Sequence, residues 1–196
     1  ISEFIEAFPT VTMYTMYGQT EATARLSYLP PDRLSDKLGS IGKGIPGVTL
    51  RVLNEQGLDV KPGETGQIVA KGDNVMLGYY KDSEATNQTI KDGWLYTGDI
   101  GTVDEEGFIF LSARIKEIIK VAGKRVSPKE IEEVIVGIPE VVDCSIQSID
   151  DEVMGEALKA IVVIADKKNN ALTVDDVKTA CAKSLASYKI PSVIEF

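Results

Sequence analysis

Between residues 39 and 107 this chain is interrupted by glycine and proline so often that no long helix fits. Gly39, Gly42, Gly44, Pro46 and Gly47 come almost together. Pro62-Gly63-Glu64-Thr65-Gly66, Asp92-Gly93 and the stretch from Asp104 to Gly107 repeat the pattern. Inside a helix, glycine costs about 1 kcal/mol and proline about 3 kcal/mol relative to alanine. The segments between these breaks are therefore left to short strands and tight turns. Residues 48–53 alternate as a strand does, residues 54–57 form a turn, and residues 67–71 form a second strand. One helix interrupts the series near residues 83–90. The expectation for residues 39–112 is a small β-barrel-like or twisted sheet. Upstream, residues 11–17 are β-branched and aromatic and read as a buried strand that turns at Gly18. Residues 25–38, with Pro30-Pro31, read as a polar connection.

The pattern changes after Ala113. Residues 117–121 and 124–126 read as two strands joined at Ala122-Gly123. Ser127-Pro128-Lys129-Glu130 has the form of a capping box with proline at the first helical position. Ile131, Val134 and Ile135 then share one side. Residues 141–146 and 158–164 read as strands. Thr173 caps a last helix with Val174, Val177, Cys181, Leu185 and Tyr188 on one stripe. This β-β-α-β-β-α order describes a compact unit of about 80 residues. The predicted class is α+β: a Gly-rich β-barrel-like subdomain, then a compact α+β domain. The boundary falls at residues 113–116, giving parts 1–113 and 114–196.

Charge and composition remove several functions. With 30 acidic and 21 basic residues the net charge is −9, which argues against general nucleic-acid binding. Histidine is absent, so a Ser-His-Asp triad, a His-ligated metal and imidazole acid–base catalysis are excluded. Cys144 and Cys181 make neither a disulfide framework nor a metal-ligand spacing, and Cys181 on its apolar stripe reads as core. A reducing cytoplasm is the simplest setting. No apolar run approaches the ~18 residues needed to cross a bilayer. Position 1 is Ile, followed by acids, so neither an initiator Met nor a signal peptide is read here, and an excised piece of something longer is expected. Against this acidic background, Arg114, Lys116, Lys120, Lys124, Arg125 and Lys129 face only Glu117 before the helix begins. Such a patch concentrates anions such as phosphates; a solvated surface hairpin is the alternative.

Three short motifs could carry chemistry. In Tyr17-Gly18-Gln19-Thr20-Glu21, the glycine allows close backbone approach. The Thr hydroxyl suits a phosphate, the Glu carboxylate suits Mg²⁺, and the aromatic ring can stack on a base. The same residues also read as a strand end with a capped helix start. In Trp94-Leu95-Tyr96-Thr97-Gly98-Asp99, the Asp can accept two ribose hydroxyls or close an Asx-turn on its own backbone. Arg114 offers a fixed fork of donors for ribose or phosphate, or forms a surface ion pair.

Taken in order, these motifs resemble the AMP-forming adenylating enzymes: acyl- and aryl-CoA synthetases, peptide-synthetase adenylation domains and beetle luciferases. The matching pieces are Tyr17 to Glu21, Gly42-Lys43-Gly44-Ile45-Pro46-Gly47, Gly63-Glu64-Thr65-Gly66-Gln67-Ile68, Gly78-Tyr79-Tyr80, Trp94 to Asp99, and Arg114 to Glu132. They span nearly the whole chain. The resemblance implies that ATP or AMP is bound by Tyr17, Gly18, Gln19, Thr20, Asp99 and Arg114. Tyr17 would stack on adenine, Thr20 would contact the α-phosphate, and Asp99 and Arg114 would bind the ribose. Glu21 would help hold Mg²⁺. Lys116 matches the hinge about which a small C-terminal domain turns. Gly123 matches the loop that approaches the pantetheine thiol of CoA, with Lys120 on the same hairpin. Thr20, Glu21 and Lys116 are thus the implied catalytic positions, and a small-molecule carboxylic acid is the implied substrate, as in fatty-acid activation.

The sequence departs from the family in three places. The usual Gly before the Arg is Ala113. The family's Gly/Ser/Thr-rich phosphate loop would precede residue 1, and its C-terminal catalytic lysine would follow Phe196. The pattern Lys-x-x-Gly-Lys-Arg-Val-Ser-Pro-x-Glu, from Lys120 onward, looks most like CoA ligases. An adenylation domain that loads a carrier protein, or a non-catalytic binding module, are the alternatives.

Overall fold

The computed structural model describes residues 1–151, 155–165 and 172–196. The chain divides into two compact units, Ile1–Leu111 and Ser112–Phe196.

The first unit begins with helix α1 (Ser2–Ala7), which buries none of its residues. Phe4 and Phe8 lie on its surface with ring centroids 5.0 Å apart. Then come β1 (Thr15–Tyr17), β2 (Ser27–Leu29), β3 (Ser40–Gly44), β4 (Val48–Leu53), β5 (Thr65–Gly72), α2 (Ser83–Thr89), β6 (Ile90–Lys91), β7 (Trp94–Val103) and β8 (Ile109–Arg114). The strand order is β1-β2-β3-β8-β7-β5-β4, with β6 paired to β7. The predicted turns fall between partners: β6 and β7 are joined across Asp92-Gly93 by the pair Lys91↔Trp94. A core of Tyr17, Leu26, Ile41, Val52, Ile68 and Leu95 lies against the sheet.

Two expectations for this unit need correction. The sheet is open, not closed into a barrel, because β1 and β4 end the path and do not share a ladder. A barrel needs every strand paired on both sides. Residues 11–17 are also not a buried strand. Only Thr15–Tyr17 forms one, and Val11, Tyr14 and Met16 stay more than half exposed. The short β1 pairs only with β2 among the described strands and ends the path of the sheet.

The second unit holds β9 (Ile119–Val121), β10 (Lys124–Val126), α3 (Pro128–Val136), β11 (Val141–Asp151), β12 (Gly155–Ile164), α4 (Val174–Ser184) and β13 (Val193–Glu195). The order is β10-β9-β12-β11, with β13 running parallel to β12. Ile131 and Ile135 of α3 and Val177 and Cys181 of α4 are fully buried against Ile146, Leu158 and Val162. Burial pushes the Cys144 thiol up to about 12 and raises that of Cys181. Both behave as core residues and are free of disulfides.

Thr173 forms the full capping box of α4 with Asp176. The box expected at α3 does not form. Pro128 occupies its first turn, but the Ser127 hydroxyl donates to the Ser112 carbonyl at 3.2 Å and makes no cap bond. The Glu130 carboxylate is drawn instead to Lys189 Nζ, at 2.7 and 2.6 Å. Strand β13 escaped the sequence reading because three residues are too few to show a period. No helix among the described residues is long and apolar enough to cross a membrane.

Candidate functional site

β1 delivers Tyr17 to the edge of a tight turn. The amide of Leu26 returns to the Tyr17 carbonyl at 2.7 Å, and that of Ala22 to the Gln19 carbonyl at 3.0 Å. A Cβ on Gly18 would lie 2.5 Å from the Ala24 carbonyl oxygen. The close approach that demands glycine here is therefore to the chain's own backbone. Gln19 is extended and partly buried. Thr20 opens the 3₁₀ turn Thr20–Ala22 with its side chain in solvent, and Glu21 is partly buried.

The second motif enters along β7. Thr97 Oγ1 donates to the Ile68 carbonyl at 2.7 Å and accepts the Asp99 amide at 3.1 Å. The local turn thus uses Thr97, which releases the Asp99 side chain from the Asx-turn role. Asp99 is 1% exposed, and its Oδ2 accepts the Tyr17 hydroxyl at 2.6 Å across 82 positions of sequence. A buried carboxylate is costly unless hydrogen-bonded, and this bond meets that need. Tyr17 itself is only 9% exposed. Its ring is thus largely buried while its hydroxyl holds Asp99.

Residues 74–79 brace the turn from the other side. Asn74 Nδ2 donates to the carbonyls of Ala22 and Arg25, at 3.0 and 3.1 Å. The Met76 amide donates to the Glu21 carbonyl at 2.7 Å. The Tyr79 hydroxyl donates to Glu21 Oε1 at 2.7 Å. That bond, helped by desolvation, raises the phenol above its ordinary range, so Tyr79 remains a donor at neutral pH. These residues were missed as functional: Gly78-Tyr79-Tyr80 marks a resemblance, but no local signal ties it to Glu21, 58 positions away.

No group of three or more His, Cys, Asp or Glu side chains converges among the described residues. A hard cation beside Glu21 would thus take its remaining ligands from phosphate oxygens and water. That is the usual way Mg²⁺ is held in nucleotide enzymes, by one or two carboxylates plus substrate, so the single Glu21 carboxylate fits the ion.

In the second unit the implied residues lie outside the core. Arg114 and Lys116 are exposed, the first capping and the second within the 3₁₀ turn Ile115–Glu117. Lys120 is exposed on β9, and its amide donates to Glu156 Oε2 at 2.9 Å. Ser148 donates to the other Glu156 oxygen at 2.6 Å. Ala122 and Gly123 make the hairpin turn with φ of 48° and 76°. Beyond it, Lys124 Nζ lies 4.2 Å from the Tyr188 ring centroid. A shallow cavity of about 490 Å³ between Glu117, Ile119, Lys129, Glu132 and Ser148 includes none of the implied residues.

The profile of the AMP-binding enzymes matches residues 1–80, and that of the AMP-binding enzyme C-terminal domain matches residues 130–196. The long-chain-fatty-acid–CoA ligase of Yersinia pestis is 40% identical over 180 residues, covering 92% of this chain and 31% of the ligase. Among solved structures, o-succinylbenzoate CoA synthetase of Bacillus subtilis with its acyl-adenylate intermediate superposes with a TM-score of 0.89. It is 29% identical, covering 98% of this chain and 39% of that one. The same enzyme with ATP and magnesium ion gives 0.83 and 30% identity, covering 93% and 37%. The chain thus spans 31–39% of the length of these relatives.

Proposed function

Because the chain belongs to the AMP-binding enzyme family, we propose that it forms part of an AMP-forming acid–thiol ligase, most like an acyl-CoA ligase. The observation that carries this reading is the 2.6 Å bond from Tyr17 to Asp99. It joins two motifs whose only shared purpose under this reading is one nucleotide.

In the proposed reaction a carboxylate oxygen attacks the α-phosphorus of ATP, the bond to pyrophosphate breaks, and acyl-AMP remains. The thiol of CoA then attacks the acyl carbon and AMP leaves. Such transfer depends on positioning and on neutralising phosphate charge. Mg²⁺, when bound, supplies part of that neutralisation. Asp99 and Arg114 take the ribose hydroxyls, Tyr17 walls the adenine side, Gly18 and Gln19 shape the turn, and Thr20 meets the α-phosphate. Glu21 offers a carboxylate oxygen to the ion. Lys116 sits at the hinge between residues 1–113 and 114–196, and the hairpin carrying Lys120 and Gly123 faces the thiol in the second step. No covalent enzyme nucleophile is needed, which suits a chain without histidine whose thiols are buried. The cytoplasm, where ATP and CoA are available, is the proposed setting.

The test is product analysis with the longer enzyme, ATP, Mg²⁺, CoA and a panel of acids that includes a long-chain fatty acid and o-succinylbenzoate. AMP, pyrophosphate and an acyl-CoA thioester are expected. ADP in place of AMP, or thioester on a carrier protein alone, would contradict the reading. The 196-residue chain by itself is expected to give no carboxylate-dependent ATP–pyrophosphate exchange.

A further inference from the structure

We infer that Tyr79 is a positioning residue for Glu21, and that residues 74–79 form a brace which aims the Glu21 carboxylate into the nucleotide site. The inference rests on the function proposed above. Three residues of one short segment reach the same turn: the Asn74 side-chain amide donates to the Ala22 and Arg25 carbonyls, the Met76 amide to the Glu21 carbonyl, and the Tyr79 hydroxyl to Glu21 Oε1. The first two hold the backbone at Glu21 and just beyond it. The third holds the carboxylate itself.

Tyr79 is fixed in turn. Its amide donates to Thr86 Oγ1 at 2.9 Å, and that hydroxyl donates to the Asp82 carbonyl at 2.7 Å. Asp82 caps α2 by accepting the Ala85 amide at 2.9 Å. The capped start of α2 thus sets the tyrosine, and the tyrosine sets the acid. A carboxylate on a one-turn 3₁₀ segment would otherwise sample several rotamers. Hydrogen bonds to ligating carboxylates tune metal sites in the same manner. The neighbouring Tyr80 is 88% exposed, and its ring centroid lies 5.3 Å from Lys81 Nζ. It is the natural control.

Two measurements test the inference. In the 196-residue chain, amide hydrogen exchange at Ala22 and Met76 is expected to quicken about tenfold in Tyr79→Phe, the scale of one hydrogen bond to a charged group. Tyr80→Phe should leave it unchanged. In the longer enzyme, Tyr79→Phe should raise the Mg²⁺ concentration for half-maximal rate about tenfold while KM for the thiol stays constant. In a Glu21→Gln background the same substitution should add nothing further. Unchanged exchange in Tyr79→Phe would overturn the inference whatever the enzyme does. So would faster exchange with an unaltered Mg²⁺ requirement, since the brace would then be structural only. A wild-type enzyme that makes no acyl-AMP would instead remove the functional reading, leaving the exchange result to decide whether the brace exists.

Discussion

The two units of this chain treat the residues assigned to chemistry in opposite ways. In the first, Tyr17 and Asp99 are buried and bonded to each other, and Glu21 is held by Tyr79. In the second, Arg114, Lys116, Lys120 and Gly123 all stand in solvent. A preorganised group loses little entropy when a ligand arrives, whereas an exposed lysine must be ordered at that moment. On the proposed reading, the first unit would hold a small ligand in fixed geometry, and the second would offer cations that are ordered only on contact.

The same residue type shows the contrast most sharply, and it yields the largest predicted effect. Gly18 has backbone 2.5 Å from where a Cβ would sit, while around Gly123 there is nothing within 4 Å. Gly18→Ala should destabilise by about 3 kcal/mol, the upper part of the range for overpacking, since backbone atoms cannot move aside. Asp99→Ala should cost about 2 kcal/mol by removing the carboxylate that accepts the Tyr17 hydroxyl in the core. In the longer enzyme it should weaken use of ATP by a similar amount. Gly123→Ala should cost only about 1 kcal/mol, the strain of an L-residue at positive φ. Lys116→Ala should stay within about 0.5 kcal/mol, as surface changes do. Urea unfolding of the four variants would rank them. A Lys116 effect equal to that of Asp99 would erase the contrast.

The weakest separation is in pH. In the first unit, the Arg33 bond to Asp36 and the Lys37 and Arg33 bonds to Glu106 hold both acids below the usual carboxylate range. Acids lowered on folding contribute stability above their unfolded pKa, and that contribution is lost as pH falls through the folded value. In the second unit, burial holds the Cys144 thiol up near 12. An unfolded thiol ionises near 8.5, so stability is intact below that pH and declines as pH rises toward the folded value. Glu156 and Asp176 in the second unit are lowered in the same way, so acid should weaken both units, whereas alkali should loosen the second before the first, as read by amide exchange in each. At pH 8 both cysteines should react with a thiol reagent only after unfolding.

Much of this architecture was legible wherever one short window contained the cause. The Thr173 cap, the α2 helix and the Asp92-Gly93 hairpin are local devices, and each appears as expected, the cap completed by Asp176. The capping box at Ser127 failed because its two side chains found distant partners, Ser112 and Lys189. Residues 11–17 look like a core strand by composition, yet burial depends on what lies opposite, which composition does not encode. The site followed the same division. Its motifs were visible one by one, but the Tyr17–Asp99 and Tyr79–Glu21 bonds span 82 and 58 positions. Only the folded sheet brings those side chains together.

A direct trial is a ¹⁵N NMR titration of the 196-residue chain with AMP, because chemical-shift changes detect even weak binding and locate it. The account predicts that shifts concentrate at Tyr17 to Glu21 and at Thr97 to Asp99, with the α4 helix silent. Saturating AMP that leaves both stretches unmoved, or that perturbs only residues of the second unit, would contradict it.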